Sequence, residues 1–395
     1  MLWLLFIVTF LESIAGTLLQ RGLYFYTHEI LGFGEVSNLW LALGFGMAYV
    51  FGALGSHRAA LRFGERRLLL ASLFSLLALH ALLASVAAPF VLFLSFFGTA
   101  FAQGMKWPLI ESYVSAGHSP QQLLPVLGRY NVTWATGVFA AVGATGFLVG
   151  SGHPALFFWI PALLNLLAIA LSLGLPASPL HLDLAHPARP NAAELQGIRS
   201  LLGSARWSMT GSYALLYVLA PLLPSLLAEL DLSVRMATPV ASVLDAVRVI
   251  SFAVLGAWTG WQGRSLPLWL AMFTLPASFL LILLGGSLAT LVVGEALFGF
   301  TAGFAYTAAL YYALVAENAS VDAGGAHEGL IGLGLGLGPL SGLAGQLLLG
   351  QRLPGANQSS SLGHAAALAL AVSPIVAVCA LGSLRALLKL RGRPG

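Results

Sequence analysis

The chain has 395 residues, of which 58% are hydrophobic and 8% charged, with a formal net charge of +4. A soluble domain carries about 25% charged residues, so this chain cannot cover a surface in water and lipid must be its main solvent. Its one cysteine, Cys379, excludes an internal disulfide and a cysteine-based metal site, and membrane topology accounts for the positive charge without nucleic acid.

The first apolar run, MLWLLFIVTFLESIAGTLL, has no basic start and carries Glu12 in its middle, so it reads as a retained helix and not as a cleaved signal peptide. In lipid every backbone N–H and C=O must be satisfied within its own segment, and runs of about 20 apolar residues therefore read as helices. The predicted spans are 2–26, 38–60, 67–88, 90–114, 124–150, 154–175, 207–229, 238–261, 265–285, 288–316, 328–350 and 363–388. These twelve make an all-α polytopic membrane protein. The runs are too long for barrel strands and do not alternate polar with apolar.

Span one carries Glu12, Ser13, Gly16, Thr17, Gln20, Arg21 and Tyr24 at three- and four-residue steps, a polar stripe that must face a cavity or another helix. A charge inside the bilayer costs about 2.5–3.5 kcal/mol even on the mild insertion scale. Glu12 is therefore either the carrier of a coupling proton or half of a structural pair with Lys106. Span four adds Thr99, Gln103, Lys106 and Trp107 on one side. Lys106 suits an anionic or carbonyl-bearing substrate, or a salt bridge to Glu12 or Glu111. Glu111 lies near the end of that span, where a hydrated structural carboxylate is expected.

The polar stretch 176–206 holds four prolines. It is read as a linker between an N-terminal bundle, 1–175, and a C-terminal bundle, 207–395, with Ala192–Leu202 as a short surface helix. Thirteen of the eighteen Lys and Arg residues fall on the linker's side, Arg189 and Arg393 among them, against Arg21, Arg235 and Arg352 on the other. The positive-inside rule then puts the linker and both termini in the cytoplasm, with the bacterial inner membrane as the expected location.

In the second half Tyr217 and Tyr306 offer rings with hydroxyls to an amphipathic solute, while Tyr311 and Tyr312 are placed in the interfacial belt. Asp245 and Arg248, three apart, read as a self-neutralised structural ion pair. Glu295 is either a second protonation site or a residue of the outer interface. VFGALGS (50–56) echoes VLGAWTG (254–260), and SFFGTAFAQG (95–104) echoes ALFGFTAGFA (296–305), which points to duplication of a six-span unit. Span eleven holds Gly334, Gly338, Pro339 and Gly342. Their four-residue spacing forms one smooth helix face, either packed at the seam between the halves or acting as a hinge. No stretch matches a phosphate-binding loop, and His327–Glu328 is too short to suggest a metal. No cofactor is expected.

After span two comes GSHRAALRFGERRLLLAS, whose RFGERR (62–67) resembles the end of the loop motif G-x-x-x-D-R-x-G-R-[RK] of the major facilitator superfamily. Leu61 stands where that family has its aspartate. Span eleven resembles the family's G-x-x-x-G-P-x-x-G pattern, carried in exporters by span five. The resemblance implies two pseudo-symmetric six-helix bundles rocking around a cavity lined by spans one, four, seven and ten. It also implies a cytoplasmic latch built on Arg62, Gly64, Arg66 and Arg67, with Glu328 replacing the aspartate opposite Arg62 or Arg66. The expected function is secondary active, proton-coupled transport of a small organic solute by a monomer in lipid. Substrate and proton would meet Glu12, Gln20, Arg21, Gln103, Lys106, Tyr217, Glu295 and Tyr306. Export of a hydrophobic or amphipathic compound is the first reading. The alternatives are import of a sugar, organic acid or peptide, and, in another class, an uncoupled membrane receptor or lipid scramblase.

Overall fold

The computed structural model describes residues 2–86, 88–179, 190–317, 320–350 and 361–391. Arg189, Arg352 and Arg393 lie outside them. The chain crosses back and forth as twelve helices: α1 Leu2–Leu31, α2 Glu35–Phe63, α3 Glu65–Ser85, α4 Pro89–Ser115, α5 Pro120–Val149 and α6 Leu156–Ser172, then α7 Ala192–Leu219, α8 Val234–Ala257, α9 Leu266–Leu284, α10 Leu288–Ala316, α11 Val321–Gly350 and α12 Ser361–Arg391. Among the described residues nine of these are long and apolar enough to cross a membrane by length and composition. The other three are α4 and α7, which carry the polar groups described below, and α6, which is short.

Local chemistry sets the helix ends. Ser119 and Gln122 form a capping box at the start of α5, and Asn191 and Glu194 form one at the start of α7. The second box corrects a sequence expectation: residues 192–202 are not a separate surface helix but the first turns of α7, which runs unbroken to Leu219. Gly64 separates α2 from α3 with φ +82°, a left-handed conformation that glycine adopts at no steric cost.

Neighbour relations repeat with an offset of six. In the first half α1 packs on α5 and α6, α2 on α4, and α3 on α4 and α6. In the second half α7 packs on α11 and α12, α8 on α10, and α9 on α10 and α12. The protein is thus two pseudo-symmetric six-helix bundles. Large apolar side chains such as Trp3, Phe51, Phe90 and Leu163 are exposed on the outside, while Glu12, Lys106, Glu111, Asp245, Arg248, Glu295 and Glu328 are buried within. That inside-out distribution is what a lipid solvent demands.

Two seams join the halves, α2 against α11 and α5 against α8. Both seams are closed near each membrane face. Along the first, a Cβ on Gly325 would meet Ala53 and one on Gly46 would meet the backbone of Leu335 and Gly336. Leu39 lies over Gly342 at the far end. Along the second, Gly128 meets Gly256 near one face. Near the other, Thr238 accepts from Gly146 N–H at 2.9 Å and Arg235 donates to Gly150 O at 2.6 Å.

The glycines of α11 therefore serve two faces. Gly334 and Gly338 fit against Thr210, Tyr213, Ala214 and Val218 of α7, inside their own half, and only Gly342 also touches α2. Pro339 lies buried within the helix. The inter-half contact is carried instead by Gly325, Gly329, Gly332 and Gly336, against Tyr49, Val50, Ala53, Leu54 and the backbone at Gly46. A missing Cβ lets two backbones approach as no other residue allows.

Candidate functional site

Between the seams lies a cavity of about 80 Å³ bounded by both halves. That is room for several waters at about 10–15 Å³ each. The polar stripe of α1 lines it through Glu12, Ser13, Gly16, Thr17, Gln20 and Arg21. Gln103, Trp107, Tyr213, Tyr217 and Tyr306 come from α4, α7 and α10. Helices outside the expected four contribute as well: Tyr49 from α2, Tyr130 and Trp134 from α5, Arg248 from α8, Glu328 and Ile331 from α11. The expected lining left α5 out, although Tyr130 and Trp134 at i, i+4 share one helix face and could have pointed to it.

Three charged clusters surround the space. The first lies within the N-terminal half. Lys106 Nζ donates to Glu12 Oε2 at 2.8 Å, Asn165 Nδ2 donates to Glu12 Oε1 at 2.7 Å, and Lys106 lies 4.3 Å over the Trp107 ring. Removing one partner of such a buried pair costs about 3–5 kcal/mol, whereas replacing both together is often neutral. Lys106→Met is thus expected to lower the melting temperature sharply, and adding Glu12→Gln is expected to restore most of it in a thermal unfolding assay.

The second cluster crosses the halves. In α1 a π-helical turn, Leu18–Gly22, widens the helix where Arg21 leaves it. Such turns are frequent at functional sites. Arg21 Nη1 reaches Asp245 Oδ2 at 2.5 Å, with both side chains at most 5% exposed. This changes the expected Asp245–Arg248 pair: Arg248 stands 3.8 Å from the other carboxylate oxygen, beyond hydrogen-bond range. Its Nη2 donates to Tyr213 Oη at 2.7 Å. Glu295 is not at an interface. It is 1% exposed, on α10, outside the cavity lining.

The third cluster also crosses the halves, near the face that holds both chain ends. Glu111 of α4 and His327 and Glu328 of α11 place one carboxylate or ring atom each within 4.8 Å of one another. Tyr49 Oη donates to Glu328, and Tyr306 Oη donates to Glu111 Oε1 at 3.3 Å. Glu111 is fully buried, which corrects the expectation of a hydrated carboxylate. The latch assigned to Glu328 is likewise corrected. Helix α11 begins at Val321, so Glu328 lies two turns inside the bundle and does not meet Arg62 or Arg66. Arg66 instead donates to Leu175 O at 2.9 Å and holds the end of the α6 segment, while Arg62 lies over Phe63 and Arg67 is exposed. Among the described residues this third cluster is also the donor set that suits a metal ion. The sequence showed only two of its three residues side by side.

Tyr311 and Tyr312 are not belt residues. Both are buried beside Trp261, and Tyr312 Oη accepts from Gly263 N–H at 3.0 Å.

The family model of the Major Facilitator Superfamily matches residues 2–343. A mutant of the nucleoside transporter NupG superposes with a TM-score of 0.69 at 15% identity, covering 98% of this chain and 99% of that one. A bacterial homolog of the human lysosomal transporter Spinster, inward-facing and occupied, gives 0.68 at 16% identity over 100% and 98%. The human organic anion transporter MFSD10 gives 0.63 at 16% over 97% and 98%. A sequence search of curated proteins returned no match.

Proposed function

This chain belongs to the major facilitator superfamily, and on that premise we propose that it moves a small amphipathic organic solute across the membrane in exchange for the free energy of a proton gradient. The bundles 1–175 and 207–395 rock about the cavity, tethered by 176–206, with both termini in the cytoplasm of a bacterial cell and the monomer as the working unit.

The observation that carries this reading is the cavity lined by both halves with an inter-half ionisable contact on either side of it. Arg21–Asp245 lies toward one face and Glu111–Glu328 toward the other. Alternating access requires that one contact open while the other holds.

The proton is assigned to the Glu111–Glu328 pair and not to Glu12, which Lys106 and Asn165 already satisfy. Two carboxylates this close in a buried site cannot both hold charge at low energy. A shared proton closes the pair, and its release drives the halves apart on the termini side. The groups facing the pair are Tyr49, Tyr306 and His327, with Tyr130, Tyr213 and the paired Lys106 nearby.

The test is flux in proteoliposomes with an imposed pH gradient, using solutes chosen by a thermal-shift screen. Accumulation is expected to follow the gradient. Accumulation that survives collapse of every ion gradient overturns the coupling. Lipid movement without a gradient supports the scramblase.

A further inference from the structure

Arg248 is placed unlike the other cavity charges. Its guanidinium carbon lies 4.7 Å from the ring centre of Trp134, 5.5 Å from Tyr213, 5.8 Å from Phe252 and 6.0 Å from Tyr306. These rings come from α5, α7, α8 and α10, so both halves build the cage. Stacking of this kind holds the planar group in one orientation. Yet its hydrogen-bonding capacity is mostly unused. An arginine has five N–H donors, and among the described residues one meets an acceptor, Tyr213 Oη. Nε is buried without a partner. Its counter-charge is also weak, because Asp245 gives its short contact to Arg21 and stands 3.8 Å away.

A buried, oriented, under-satisfied guanidinium that lines a cavity is a receptor for a planar anion, since its fork matches a carboxylate. The surrounding faces fix the rest of the ligand. Tyr213 and Tyr217 stack at 6.3 Å with 12° between their planes, and Trp134 and Tyr306 close the other side. Flat apolar walls favour a flat apolar body. A cation is disfavoured there, because the Trp134, Tyr213 and Tyr306 rings are already taken by Arg248. A dianion such as phosphate lacks a second free base, because Lys106 is held by Glu12 and Arg21 by Asp245.

We propose that Arg248 anchors the carboxylate of the cargo, and that the cargo is a small aromatic carboxylic acid in its anionic form. This rests on the transporter reading above and names its substrate class. It also has a consequence for the cycle. An anion on Arg248 leaves Asp245 wholly to Arg21, so a loaded cavity tightens the contact on the side away from the termini.

The test is binding to the full-length protein in detergent, without a gradient, followed by tryptophan fluorescence and thermal shift. The probes are benzoate, cyclohexanecarboxylate, benzyl alcohol and benzylamine, at a pH where the acids are ionised. Benzoate is expected to bind at least about tenfold tighter than benzylamine or benzyl alcohol, since a charge-assisted hydrogen bond to the guanidinium is stronger than a neutral one. Arg248→Gln should remove that advantage and leave benzyl alcohol unaffected, while Arg248→Lys retains part of it. The Lys variant serves if the Gln variant does not fold. Failure of benzoate to bind, preference for benzylamine, or benzoate affinity unchanged in both variants overturns the proposal. Equal binding of cyclohexanecarboxylate overturns the aromatic requirement. Because no gradient is present, these outcomes are independent of whether transport is proton-coupled.

Discussion

Glu328→Gln is expected to abolish the pH dependence of access from the termini side and to lower gradient-driven flux by at least about tenfold. Two like charges about 4 Å apart repel by about 4 kcal/mol at an effective dielectric of about 20, which corresponds to nearly a thousandfold change in a two-state population. On the proposed mechanism that repulsion arises when a shared proton leaves Glu111 and Glu328, which sit on different halves. An amide at 328 removes the second charge and still accepts from Tyr49, so the halves stay together at every pH. The measurement is the labelling rate of Ile331→Cys, a cavity residue, in a Cys379→Ser background, with a thiol reagent supplied from the termini side. In the parent, labelling rises with pH after correction for thiol ionisation. In the Glu328→Gln variant it is low and flat. A variant that keeps the parent's pH profile would show that the pair is not the switch.

The polar stripe on α1 and the intramembrane charges were legible in the sequence because lipid makes any ionisable residue in a span conspicuous. The sequence also offered the Glu12–Lys106 pair, which the structure shows; what it withheld was partnership between the halves. Arg21 and Asp245 are 224 positions apart, and the π turn that releases Arg21 leaves no trace in a three- and four-residue pattern. Asp245 and Arg248 are close in sequence and so invited a local pair, yet the shorter contact is the remote one. A boundary displaced by seven residues moved Glu328 from two turns inside its helix to its surface end, and with it the role assigned to that carboxylate. The glycines of α11 show a related limit. Their spacing announced close packing, but α11 has glycines on two faces, and only the three-dimensional arrangement separates Gly334 and Gly338, which meet α7, from Gly332 and Gly336, which meet α2. Gly64 entered through its motif as part of a latch; the structure shows a positive φ there and no atom within 4 Å of the place a Cβ would take.

The two ends of the Arg21–Asp245 contact are expected to differ in what their loss costs. Asp245→Asn leaves two buried guanidinium groups, Arg21 and Arg248, without a carboxylate, and an uncompensated buried charge costs about 3–5 kcal/mol. Arg21→Gln leaves Asp245 beside Arg248, which needs to move only from 3.8 Å into hydrogen-bond range. Thermal unfolding in detergent should therefore rank the variants with Asp245→Asn well below Arg21→Gln, and Arg21→Gln combined with Asp245→Asn above the sum of the two. Transport should respond in a different order. Both single variants remove one of the bonds that hold the halves together on the side away from the termini, so both should favour opening there and lose about tenfold or more of the gradient-driven flux. Arg21→Gln also draws Arg248 toward Asp245 and away from the cargo, so its affinity for an aromatic carboxylate should fall, whereas Asp245→Asn frees Arg248 and should raise it. Opposite movements of affinity with parallel losses of flux would place Asp245 between the gate and the cargo. Equal effects on stability and binding would instead mark Arg21–Asp245 as a fixed strut, with opening controlled elsewhere in the seam.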